Sequence, residues 1–134
     1  MPALSQSLLF VPADSVGTTA TVAVVYPNTS TTTQVYLSEK AKGDGYFGNT
    51  GGLHTVMYAA SPAFVGTITM QATLAVSPTE TDWFNVVGTT STYTELNSRS
   101  TSTVDSYNFI GNFVWVRGQV SIDAGSVFMV QYNH

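Results

Sequence analysis

The segment Phe64-Val65-Gly66-Thr67-Ile68-Thr69-Met70-Gln71-Ala72-Thr73-Leu74-Ala75-Val76 decides the fold class. Phe64, Ile68, Met70, Ala72, Leu74 and Val76 share one parity; Thr67, Thr69, Gln71 and Thr73 share the other. Successive side chains of a strand point to opposite faces. The pattern is therefore that of an antiparallel strand, apolar inward and hydroxyl outward. Gly66 falls on the apolar parity, where a missing side chain marks a bulge or the close approach of another backbone.

Working outward, segment 53–60 alternates in the same way, with Leu53, Thr55 and Met57 on one side and His54, Val56 and Tyr58 on the other. Further short strands are predicted at 19–26, which ends at the turn pair Pro27-Asn28, at 33–37, and at 83–87 after Ser77-Pro78-Thr79. The last two are predicted at 107–122 and 127–132, joined by Asp123-Ala124-Gly125 as a hairpin connection. Ser38-Glu39-Lys40-Ala41-Lys42-Gly43 reads as one helical turn, with Ser38 as cap and Gly43 as terminator. No longer stretch has a 3.6-residue period. The expected fold is all-β: an antiparallel β-sandwich or jelly-roll-like single domain spanning residues 1–134.

Two connections interrupt the pattern. Segment 43–52 holds five of the 11 glycines together with Tyr46 and Phe47. Segment 88–106 is rich in Ser and Thr and reads as a projecting loop or an arm, with a weak strand near Tyr93.

Composition narrows the function. A chain of 134 residues buries roughly two thirds of its unfolded surface, enough for one core without staples. No cysteine is present, which excludes disulfides and thiolate metal sites. Charged residues make up 9%, against about 25% in ordinary domains. In their place stand 20 Thr and 14 Ser, which suit strands and cost less than ions to desolvate when hydrogen-bonded. The net charge is −4, and Lys40, Lys42, Arg99 and Arg117 form no basic cluster, so nucleic acid is not an expected partner. No segment approaches the roughly 20 apolar residues of a membrane span. The run Leu8-Leu9-Phe10-Val11 is too short for a signal-peptide core and has no basic residue before it, so the chain is expected to stay in the cytosol of its maker or to be released by lysis.

Catalytic groupings are thin. A nucleophilic triad would have to centre on His54, with no Gly-x-Ser-x-Gly elbow beside it. Glu80 and Asp82 have the carboxylate pairing of a glycosidase, yet Thr79 or Asp82 capping a polar turn explains them more simply. The glycine segment supplies one acid, Asp44, where a calcium loop needs several, and it lacks the Gly-Lys-Thr ending of a phosphate loop. The expectation is a non-enzyme with no catalytic residue, metal or cofactor.

Aromatic residues are more informative. Along 107–122, Ile110, Val114, Val116, Val120 and Ile122 share one parity, and Tyr107, Phe109, Phe113, Trp115, Arg117 and Gln119 the other. A strand apolar on both faces is covered on both. The second cover is either the 88–106 loop or a neighbouring subunit, since Trp, Tyr, Phe and Arg are favoured in interface cores. Phe109, Phe113, Trp115 and Arg117 are thus candidate interface residues, with Tyr46 and Phe47 of the glycine segment as candidate partner contacts. Trp83 and Phe84 carry a different reading, a stacking platform for glycan.

The run Gly66-Thr67-Ile68-Thr69-Met70-Gln71-Ala72-Thr73-Leu74, the following Asp82-Trp83-Phe84 and the later Asn108-Phe109-Ile110-Gly111-Asn112-Phe113-Val114-Trp115-Val116-Arg117 resemble small virion structural proteins of tailed bacteriophages, especially contractile-tailed cyanophages. The resemblance covers about the C-terminal half. It implies a virion component assembled in the host cytoplasm: a capsid decoration or cement protein that binds major capsid or other virion proteins, as a homo-oligomer with a trimer favoured. The alternative is a tail or fibre module that recognises host glycan.

Overall fold

The computed structural model describes residues 6–12, 34–48, 52–93 and 103–133. The strands are β1 (Gln6–Ser7), β2 (Phe10–Pro12), β3 (Gln34–Ser38), β4 (Ala41–Lys42), β5 (Leu53–Ala60), β6 (Val65–Thr73), β7 (Phe84–Asn85), β8 (Ser91–Tyr93), β9 (Thr103–Ile110), β10 (Trp115–Ala124) and β11 (Val127–Asn133). They form a four-stranded sheet in the order β1-β11-β5-β9 and a seven-stranded sheet in the order β2-β3-β10-β6-β7, with β4 on β10 and β8 on β6. All pairings are antiparallel, and the two sheets enclose one core, so the fold is the β-sandwich that the alternation predicts. The predicted strand 19–26 lies outside the described residues, as does segment 94–102.

Alternation places the core. His54, Val56 and Tyr58 of β5 are buried, as are Val130 and Tyr132 of β11. Facing them are Ile68, Met70 and Ala72 of β6 and Val116, Val120 and Ile122 of β10. Burying a side chain of this size stabilises the fold by about 1.5–3 kcal/mol. Gly66 meets both expectations for it. Its φ is 151°, it stands opposite the register shift between Ile122 and Ala124, and a Cβ there would strike the Ser121 carbonyl.

Segment 107–122 is not one strand. Its first part belongs to β9 in the four-stranded sheet and its last to β10 in the seven-stranded sheet. The inward parity changes between them: Tyr107 and Phe109 face the core from β9, and Val116, Val120 and Ile122 face it from β10. Residues 111–114 make the crossing. Tyr107 and Phe109, on the "other" face of a supposed single strand, are therefore inner-face rings of a second sheet, and the cover for Phe109 comes from within the chain.

The glycine segment is built against this crossing. Gly43 N donates to Val114 O at 3.0 Å, Gly45 N to Phe113 O at 2.8 Å, and Gly111 N to Gly52 O at 3.1 Å. A Cβ on Gly43, Gly45 or Gly52 would overlap the backbone of residues 111–113. The glycines are needed for backbone-to-backbone contact.

Other expectations change with pairing. The helical turn predicted at Ser38 does not form. Ser38 ends β3, its hydroxyl accepts from Gly118 N at 2.7 Å, and Ala41–Lys42 pair with Val116 and Trp115. Asp123-Ala124-Gly125 joins the two sheets rather than forming a hairpin, since β10 and β11 lie in different sheets. β6 stops at Thr73, leaving Leu74 and Val76 exposed. Strand 83–87 shrinks to β7; Val86 N still donates to Met70 O of β6, and the buried Thr89 hydroxyl then donates to Val86 O. Segment 88–106 contains β8, at the expected Tyr93, and the start of β9.

Side chains close the gap between the sheets on this side. Tyr93 and Ser91 of β8 bond Asp105 of β9, and Ser91 also bonds Tyr107. Burial, then the bond to Asp105, pushes the Tyr93 phenol up to about 12. Burial likewise raises Tyr58, which donates to Thr89 O at 2.8 Å, and Tyr132.

Candidate functional site

The crossing brings two separate predictions together. Trp115 opens β10, and the glycine segment lies beside it. The Tyr46 ring is 5.0 Å from Trp115, and Phe47 meets Tyr46 edge-on at 5.4 Å. Tyr46 is 43% and Phe47 53% exposed. Trp115 is pinned by its indole N–H, which donates to Val76 O at 2.9 Å. Lys40 sits 4.4 Å over Trp115, and Lys42 sits 4.7 Å over Tyr46. The ammonium groups meet the negative faces of the rings, which holds both in place. This corner is a partly open aromatic surface flanked by two cations.

The other interface candidates divide. Phe109 is 6% exposed and lies in the core, stacked on His54. Phe113 is half-buried against Phe109 and Phe84. Arg117 points to the outer face of the seven-stranded sheet. Its Nη1 donates to Glu80 at 3.1 Å, its Nε donates to Gln71 Oε1 at 2.9 Å, and its guanidinium lies 4.2 Å over Trp83. Burial lowers the Arg117 pKa, and Glu80 opposes that shift.

The glycan candidates sit beside this network. One face of Trp83 is covered by Arg117. Phe84 is exposed and fronts a recess of about 370 Å³ with Asn85, Val86, Val87, Asn108, Phe109, Ile110 and Phe113.

The candidate catalytic residues take structural positions. His54 is fully buried among the rings of Phe109, Phe113 and Tyr132. Glu80 and Asp82 form a single 3-10 turn, in which Asp82 accepts from Thr79 N at 2.7 Å, the capping role foreseen for it. Among the described residues no three His, Asp or Glu side chains are grouped to hold a metal, and no helix is long and apolar enough to cross a membrane.

A further surface had no sequence signal of its own. Thr67, Thr69, Asn85, Thr90, Gln119 and Ser121 line a groove of about 180 Å³ on the outer face of the seven-stranded sheet. Each residue is ordinary for a strand or turn, and only pairing assembles them.

No protein-family model matches the sequence, and no curated protein matches it. Among solved structures, the chain is similar to the carbohydrate binding module CBM6cm-2 from Cellvibrio mixtus lichenase 5A, in complex with cellotriose. The identity is 13% and the TM-score 0.37, over 96% of this chain and 89% of that one. A likeness of this degree carries no functional information.

Proposed function

We propose that the chain is a non-catalytic binding domain that serves as a structural part of a tailed-phage particle, gripping neighbouring virion proteins in the manner of a capsid decoration protein. The observation that carries this reading is the aromatic corner of Tyr46, Phe47 and Trp115. Rings already held by Gly45, the Val76 carbonyl and two lysines lose little freedom on docking, so their burial converts efficiently into affinity. The resemblance of 66–74, 82–84 and 108–117 to phage virion proteins supports the same reading.

The test is to quantify the chain in gradient-purified particles and then to repeat the assembly with Phe47→Ala and with Tyr46→Ala. High copy number in the particle, and reduced occupancy with the variants, is the expected result. A chain absent from the particles, or variants that load like the parent, overturns the proposal.

A further inference from the structure

Three amides on the outer face of the seven-stranded sheet have their orientation fixed by one arginine. A guanidinium only donates, so the group it meets on Gln71 at 2.9 Å is the carbonyl oxygen. The Gln71 NH2 therefore points the other way. It donates to Asn85 Oδ1 at 3.0 Å and to Gln119 Oε1 at 3.4 Å. With those oxygens occupied, Asn85 and Gln119 each direct an NH2 group away from Gln71. Arg117 is itself fixed by Glu80 and Trp83, so the polarity of the chain is set before any ligand arrives.

Asn85 and Gln119 both line the 180 Å³ groove. The remaining lining is hydroxyl. Thr67 pairs with Ser121 and Thr69 with Gln119 in register across β6 and β10. Thr90 adds a hydroxyl bonded to Thr69 at 2.7 Å. Strands about 4.8 Å apart and same-face residues about 6.8 Å apart spread these groups over the area of a sugar ring or two.

We propose that this groove binds a neutral oligosaccharide. None of the six lining residues is charged, so a phosphate, a uronate or an ionic peptide finds no counter-charge in the groove. None is a large apolar side chain, so an apolar segment finds nothing to bury against. Two oriented NH2 donors beside hydroxyls that both donate and accept match adjacent sugar hydroxyls, which also do both. No ring lines the groove, so binding is weak, in the millimolar range that corresponds to about −4 kcal/mol. The site goes beyond the docking reading and lies on different residues from it.

The test is a titration followed by amide NMR, using maltotriose, mannotriose and galactotriose, with trigalacturonate as the charged control. Saturable shifts are expected with at least one neutral trisaccharide at residues 67, 69, 119 and 121 and at the side-chain NH2 groups of Asn85 and Gln119, but not with the control. Gln119→Ala should weaken that binding about tenfold, as expected for removal of one buried bond. Gln71→Met, which contacts no ligand but releases both amides, should weaken it similarly with the fold intact by the same spectra. Phe47→Ala should leave it unchanged, which separates this site from the docking corner. No saturable shift with any of the three sugars, shifts confined to the recess at Phe84, or equal response to trigalacturonate overturns the proposal.

Discussion

His54 and Phe109 stand directly opposite each other in the β5–β9 ladder, and their rings stack with centroids 4.9 Å apart and planes 5° apart. The same imidazole lies 5.8 Å from Tyr132 at 16°. This histidine is a flat core side chain filling a slot between two rings.

Truncating that stack should cost stability rather than assembly. Phe109→Ala is expected to lose about 3–5 kcal/mol, the range for a buried aromatic ring. Urea unfolding checks this. A shift of less than about 1 kcal/mol would place Phe109 outside the core.

Gly66 should be intolerant of any side chain. Its φ of 151° suits glycine, and the Ser121 carbonyl occupies the space of a Cβ. Gly66→Ala is expected to destabilise by about 1–3 kcal/mol through strain and displacement of β10. Thermal unfolding of the variant at parental midpoint would show that the two strands are not pressed together there.

Arg117 and Glu80 should contribute unequally. Glu80 is 56% exposed, and an ion pair at such a surface is worth at most about 1 kcal/mol. Arg117 also holds Gln71 and covers Trp83, so Arg117→Ala should cost about 1–3 kcal/mol, more than Glu80→Gln. Equal losses in denaturant titrations would mean that the ion pair is the main contribution.

Alkali should unfold the protein earlier than its low charge suggests. Tyr58, Tyr93 and Tyr132 all have raised phenol values, chiefly through burial, while in the unfolded chain they ionise near the ordinary value of 10. Below pH 10 both states keep these protons, and the stabilisation from burying neutral phenols is fully present. As pH rises from 10 through the folded value of about 12 for Tyr93, the unfolded state releases protons that the folded state retains, so stability falls. Denaturation midpoints at about pH 9 and about pH 11 check the sign, and Tyr93→Phe should flatten the drop. A midpoint that rises across that interval would contradict it.

The docking corner should be separable from the fold. Phe47→Ala removes an exposed ring and should alter stability by no more than about 0.5 kcal/mol. It should weaken partner binding by about fivefold to a hundredfold, the span of a contributing interface ring. A large loss of stability would instead make Phe47 a clasp for the glycine segment.

Alternation along single strands was legible because it is local. The pleat alone sends Val56 and Tyr58 one way and Thr55 and Met57 the other, so the sheet class, the inner face of β5 and most of β6 could be read from residue order. The scarcity of ions and the absence of cysteine likewise needed no coordinates. The strand end at Thr73, the lost turn at Ser38 and the split of 107–122 depend on which distant backbone offers a partner, and no residue order states that. The split matters most, because it reverses the inward parity between Phe109 and Val116. It sends one ring into the core and leaves Trp115 to meet Tyr46 from a segment about seventy positions away. The groove is the extreme case. Thr67, Asn85, Gln119 and Ser121 carry no signal in the chain, and they become one surface only when β6, β7 and β10 lie side by side, because hydrogen-bonded strands bring remote side chains within about 5 Å of one another.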